Sequence, residues 1–207
     1  MSRMQIAGRL VGVDAPPFVI AEMSGNHNQS LDHALAIVDA AAEAGAHAIK
    51  LQTYTADTIT LDVRSERFTI RDPGSLWNGE TLHDLYRKAH TPWEWHEPIM
   101  RRARERGVIC FSSAFDETSV DFLESLGVPA YKIASFENNH LPLIRRVAAT
   151  GKPLIISTGM ASLAELDEAV AAATPIPIVW SESPTSQPNS SRRCGIVRRL
   201  LFSGDAG

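Results

Sequence analysis

Short apolar runs, each broken off by polar or charged residues, alternate along most of the chain with longer stretches in which apolar side chains return every third or fourth place. The runs at 18–22, 48–51, 108–111, 130–133 and 154–156 are apolar on both faces, as strands of a parallel sheet covered on both sides are. The stretches between them read as amphipathic helices. Ser30 is placed to cap the first, with Asp32 in its opening turn, Leu31, Ala34, Leu35, Val38 and Ala42 on its apolar side and Gly45 past its end. Thr91, Pro92 and Glu94 predict a capping box with proline at the first helical position, opening a helix that runs to Gly107. Further helices are predicted at 117–126 and 141–149. A second capping box, Ser162 with Glu165, opens one more carrying Leu163, Leu166 and Val170. Residues 1–17 read as a short β-hairpin or an irregular lead-in, and 176–179 as a sixth strand. The polar, turn-rich stretch 53–79 is too long for a plain connection and is expected to lie over a site.

Alternating strands and helices mark a parallel sheet with helices on its faces. The polar residues fall after the strands and not before them, which is where doubly wound sheets and α/β barrels both bind their ligands. No Gly-x-Gly-x-x-Gly follows the first strand and no phosphate loop is present. That lowers the case for a nucleotide fold and favours the (β/α)8 TIM-type barrel. The barrel is expected to be incomplete, because closure needs eight strands and the pattern supplies about six. The organisation expected is a partial barrel over 1–179, then an irregular serine- and arginine-rich tail over 180–207, with 196–202 as a possible short helix.

Composition narrows the partners. With 207 residues, 44% hydrophobic and 21% charged, and a formal net charge of −4, the chain lacks the basic excess that nucleic-acid binding needs. Cys110 and Cys194 follow no metal or redox spacing, which points to a reducing compartment. No run reaches the roughly 18 apolar residues of a membrane span, so neither nucleic acid nor membrane is expected as a partner and the location expected is cytoplasmic.

The chemistry sits at the strand ends. Lys50 and Lys132, with the hydroxyls of Ser113, Ser135, Ser157 and Thr158, would converge on one rim of a barrel and supply charge-assisted hydrogen bonds to a phosphorylated or carboxylated small molecule. The competing reading is that the serines cap helices and the lysines pair with carboxylates. Glu22 is the candidate acid, base or hydroxyl-binding carboxylate, and it serves equally well as an ion-pair partner of Lys50. Gln52, Asn26 and Asn28 can orient hydroxyl or acetamido groups, although asparagines beside Gly25 also suit a turn. His27 and the other six histidines show no paired spacing, so no metal site is assembled by spacing. Trp93 and Trp95 read as helix packing residues.

Six segments, FVIAEMSGNHN (18–28), GAHAIKLQTYTADTITL (45–61), AHTPWEWH (89–96), SSAFD (112–116), YKIAS (131–135) and STGM (157–160), resemble the catalytic barrel of the sialic acid synthase family, and most closely its pseudaminic acid synthase branch. The resemblance covers about residues 15–173, with the motifs in the family's order. It implies an eight-stranded α/β barrel followed by a small antifreeze-like domain, and a homodimeric transferase. The reaction implied condenses phosphoenolpyruvate with an acetamido sugar, giving phosphate and a nine-carbon 2-keto acid, a nonulosonic acid. By position, Lys50, Ser113, Lys132, Ser135 and Ser157 would hold phosphoenolpyruvate, Gln52 would contact the sugar and Glu22 would lie near the reacting centre. A divalent metal, manganese or magnesium, is implied as cofactor. The AHTPWEWH and TYTAD segments tilt the sugar towards a 2,4-diacetamido-2,4,6-trideoxy hexose. The family's Tyr-Pro motif, its two metal-binding histidines on later strands and its C-terminal domain have no counterpart in this sequence. The expectation is therefore a chain truncated or frameshifted after about residue 174. A non-catalytic remnant that at most binds an anionic metabolite, and an aldolase forming a Schiff base on Lys50 or Lys132, stand as alternatives.

Overall fold

The computed structural model describes residues 4–12, 15–181 and 194–196. Six parallel strands form its centre: β3 (Val19–Glu22), β4 (Ala48–Thr53), β5 (Ile109–Ala114), β6 (Tyr131–Ile133), β7 (Leu154–Ser157) and β8 (Ile178–Ser181). Each lies beside the next in chain order, without the reversal of order that defines a doubly wound sheet. The curled sheet is a half-barrel with its helices outside. Ahead of it, β1 (Met4–Ile6) and β2 (Arg9–Val11) pair as an antiparallel hairpin.

Local chemistry explains the helices. Ser30 Oγ accepts the His33 N–H at 3.2 Å to open α1 (Leu31–Glu43), and Gly45 follows with a φ of +76°, a conformation that a side chain disfavours. After α4 (His96–Glu105) comes α5 (Glu117–Ser125), opened by Asp116, whose Oδ1 accepts the Ser119 N–H at 3.1 Å. Then α6 (Leu141–Ala148) and α7 (Leu163–Ala173) follow, the latter with Ser162 and Glu165 bonded reciprocally.

Several expectations need correction. Thr91 and Pro92 do not open an α-helix. Trp93–Trp95 forms a 3₁₀ turn, α4 starts at His96, and the Thr91 hydroxyl is taken by His27 Nε2 at 3.2 Å. Ser112 and Ser113 lie inside β5, not beyond it. The stretch expected as a loop carries a short helix α2 (Ala56–Ile59) and a 3₁₀ turn (Glu66–Phe68). A helix with no forecast in the sequence, α3 (Leu82–Ala89), follows it, capped by Thr81. In the tail expected to be irregular, β9 (Cys194–Ile196) pairs antiparallel with β3. Ile196 is thus in a strand, and the rest of the helix suggested for 196–202 lies outside the described residues.

Two cores result. Between sheet and helices, Ile49, Leu51, Cys110, Tyr131, Ile133, Leu154 and Ile156 pack against Val38, Ile99, Leu123 and Val147. On the concave face, Ile20, Ala48, Phe111, Ala130, Ile155 and Val179 pack with Met4, Ile6 and Val11, so the hairpin plugs the amino-terminal end of the strands. Among the described residues no helix is long and apolar enough to cross a membrane.

Candidate functional site

Side chains alternate faces along a strand, so residues two apart share a face. Two places beyond the concave-core residues Ile20, Ala48, Phe111, Ala130 and Ile155 stand Glu22, Lys50, Ser113, Lys132 and Ser157. An apolar layer near the plug is thus followed by a polar layer at the carboxyl ends. Strand register sets its rows: Glu22 lies opposite Lys50, Gln52 opposite Ser113, and Ser113 opposite Lys132.

The charges in this layer are close and poorly hydrated. Lys50 Nζ and a Glu22 carboxylate oxygen form an ion pair whose side chains are only 14% and 18% exposed. The other carboxylate oxygen, Glu22 Oε1, is buried with no hydrogen-bond partner. Lys132 is 8% exposed, and its ammonium donates to the Ile133 carbonyl at 2.8 Å and to Ser157 Oγ. Burial first, and the nearby Lys50 charge second, bring its pKa down to about 7, against the opposing pull of Glu22 and Glu137.

Glu137 belongs to this constellation, although it was not among the candidates read from the sequence. It follows β6 in the turn 134–137, and burial raises its pKa while Lys132 opposes that rise. Its Oε2 is buried without a partner. The signal was available, since a glutamate just past an apolar strand is the pattern that singled out Glu22. Asn138 was likewise not weighed. It is 4% exposed and its amide donates to the Ser157 and Gly159 carbonyls at 3.2 and 3.1 Å, tying the loops after β6 and β7 together.

The remaining candidates divide. Gln52 and Ser113 lie in the polar layer, and Ser135 lies in the loop after β6. Asn26 is exposed and its side-chain amide closes a turn on the Met23 carbonyl at 2.9 Å, which is the turn role and not a place in the charged layer. On the opposite face of the same strands, Thr53 Oγ1 lies 2.7 Å from Ser112 Oγ and 2.8 Å from His96 Nε2. His96 Nδ1 donates to the Pro92 carbonyl at 3.2 Å, so Nε2 accepts from Thr53. This buried chain fixes the outer side of the two strand ends that carry Gln52 and Ser113. Trp93 stacks on Phe122 at 4.6 Å and Trp95 meets His27 edge-on at 5.5 Å, both packing roles.

Among the described residues no three His, Cys, Asp or Glu side chains gather to hold a metal ion, so those residues do not fit the divalent metal implied by the sequence resemblance. What the arrangement can do is grip a small anion: two ammonium groups, two carboxylates with unpartnered oxygens and a set of hydroxyls share one partly desolvated mouth.

Comparison with known proteins agrees in kind. The NeuB family model matches residues 37–190. The pseudaminic acid synthase of Campylobacter jejuni subsp. jejuni serotype O:2 is 48% identical over 153 residues, covering 74% of this chain and 44% of that protein. The chain therefore spans less than half the length of that relative. The crystal structure of the N-acetylneuraminic acid synthetase of Leptospira borgpetersenii, in complex with citrate, superposes with a TM-score of 0.76 at 27% identity over 92% of this chain and 62% of that one. The spore coat polysaccharide biosynthesis protein SpsE of Bacillus subtilis superposes with a TM-score of 0.72 at 37% identity, covering 91% and 50%. On the family model, the identity to the synthase and the fold together, the chain belongs to the NeuB family.

Proposed function

We propose that this chain carries the phosphoenolpyruvate-holding half of a nonulosonic acid synthase site. In that reaction phosphoenolpyruvate condenses with an acetamido sugar of the 2,4-diacetamido-2,4,6-trideoxy hexose type. The enol carbon bonds to the sugar's aldehyde carbon, water adds at the carbon bearing the phosphate ester, and phosphate leaves to give the 2-keto acid. One observation carries the reading: Lys50, Lys132, Ser113 and Ser157 stand in a single layer at the carboxyl ends of four different strands, with Glu22 and Glu137 among them.

In this reading the two lysines neutralise the phosphate and carboxylate, Ser113, Ser135 and Ser157 donate hydrogen bonds, and Gln52 reaches the sugar. The unpartnered oxygens of Glu22 and Glu137 accept from substrate hydroxyls or from the attacking water. The citrate in the Leptospira relative, a small polycarboxylate, is in keeping with a site for an anion. The synthase works as a homodimer in the cytoplasm, where a buried free thiol such as Cys110 stays reduced.

A second reading is favoured by the missing metal ligands among the described residues: a chain that binds the anion without turning it over. Phosphate release from phosphoenolpyruvate, with manganese and the bis-acetamido sugar present, decides between the two when run beside calorimetric titration. Turnover supports the synthase, and binding without turnover supports the second reading. Failure of both overturns the anion site.

A further inference from the structure

Lys132 carries a buried amine that has no counter-ion among the described residues. Its two hydrogen-bond acceptors, the Ile133 carbonyl and Ser157 Oγ, are both neutral, and among the described residues no carboxylate stands within ion-pair reach of it. The carboxylate at the end of β3, Glu22, is held by Lys50. Among the described residues the charged groups that face Lys132 are Lys50 from β4, Glu22 from β3 and Glu137 from the loop after β6. Glu137 does not settle the matter, because burial disfavours its own charged form. A single added cation is therefore poorly compensated in the empty mouth, and becomes well compensated once a phosphate and a carboxylate enter it.

We propose that the anion site is proton-linked: Lys132 stands neutral in the empty site and takes one proton from solvent onto Nζ when phosphoenolpyruvate binds. This rests on the reading of the site as one for phosphoenolpyruvate, and adds to it a specific acid–base state. Neutral Lys132 keeps its two hydrogen bonds, and on protonation gains a third N–H to give the ligand. The linkage has a definite sign. Burial and Lys50 hold the pKa of the empty site near 7, and the bound anion raises it. Between those two values the complex carries one proton more than its separated parts. Between pH 7 and that raised value the affinity then weakens by about tenfold per pH unit, and well below pH 7 the linkage vanishes because Lys132 is already charged.

The test is calorimetric titration of phosphoenolpyruvate into the full chain at pH 8, where a phosphate monoester with a second pKa of about 6 is fully ionised and contributes no protons of its own. Repeating it in non-phosphate buffers of different ionisation enthalpy gives the protons taken up, as the slope of observed heat against buffer heat. The expected slope is about one proton at pH 8, with affinity falling about tenfold from pH 7.5 to 8.5. Binding with no net proton uptake overturns the linkage and leaves the anion site standing. No binding in any buffer overturns the site and the linkage with it.

Two variants locate the proton. Lys132→Arg stays charged at every pH tested, so it is expected to bind with no uptake. Uptake that persists in it overturns the assignment. Glu137→Gln removes a carboxylate that favours the lysine's proton, so uptake is expected to persist undiminished. If uptake disappears instead, the proton belongs to Glu137 and the assignment to Lys132 is wrong.

Discussion

Exchanging Lys50 for methionine keeps the length of the side chain and removes its charge. A charge-assisted hydrogen bond in such a site contributes about 1.5–3 kcal/mol, so phosphoenolpyruvate affinity in Lys50→Met is expected to fall by roughly 10- to 150-fold, read by calorimetric titration. An unchanged affinity would remove Lys50 from the site. A second residue makes a separate test. Cys110 is buried on the helix side of β5, and burial pushes its thiol up to about 12, where the reactive thiolate is scarce. Iodoacetamide at neutral pH is expected to leave Cys110 unlabelled in the folded protein and to modify it in urea, as mapped by mass spectrometry. Among single residues, Glu22, Lys50 and Lys132 were legible in the sequence because a charge at the end of a doubly apolar strand has no packing use. Glu137 was legible on the same ground. Its burial was not, because it depends on how the loop after β6 turns back over the strands.

At the scale of elements, strand positions were readable from apolar runs, whereas strand ends were not. The apolar run that marks β5 ends at Phe111, and the strand was expected to end with it. It continues to Ala114 because Thr53 on the neighbouring strand supplies Ser112 with a partner. A contact across 59 positions leaves no local trace. Helix α3 was missed although Thr81 and Asp84 form a cap at the right spacing, because the cap lies at the end of a polar stretch taken as loop. The buried chain of Ser112, Thr53 and His96 can be tested as a unit. Thr53→Val preserves shape and leaves His96 Nε2 and Ser112 short of a partner, which is expected to destabilise the fold by about 1–3 kcal/mol in urea unfolding. A change below the error of the measurement would show that the chain does not hold the strand ends.

The whole molecule is stabilised in two separate cores, and on the acid side one buried ring contributes to its pH response. His96 is held neutral, its pKa lowered to about 4 by burial, while in the unfolded chain a histidine titrates near 6.5. As pH falls the unfolded chain takes up the proton first. The stabilisation is therefore complete above about pH 6.5 and is lost progressively down to about pH 4, by up to roughly 3 kcal/mol. His27, also depressed by burial, acts in the same direction. Urea midpoints between pH 7.5 and 5 are expected to fall more steeply in the parent than in His96→Gln, and parallel curves would sink the assignment. The plug of the concave face is a second global feature. Ile6 is fully buried there, so Ile6→Ala is expected to lose about 2–5 kcal/mol of stability while leaving phosphoenolpyruvate affinity unchanged, because the hairpin seals the end of the strands away from the lysines. The barrel wall was legible as alternating strands and helices. The pairing of residues 194–196 with β3 was not, because three residues are too few to carry a period.

The rule that sets a charged residue or a hydroxyl two steps beyond each inward apolar residue makes the chemistry a matter of parity. Slide β4 by one position and the mouth would present Leu51 where Lys50 stands; slide β5 and Ser112 would replace Ser113. A change of length in the connection between β4 and α3 leaves that parity untouched, yet a single codon gained or lost inside a strand would turn the site inside out.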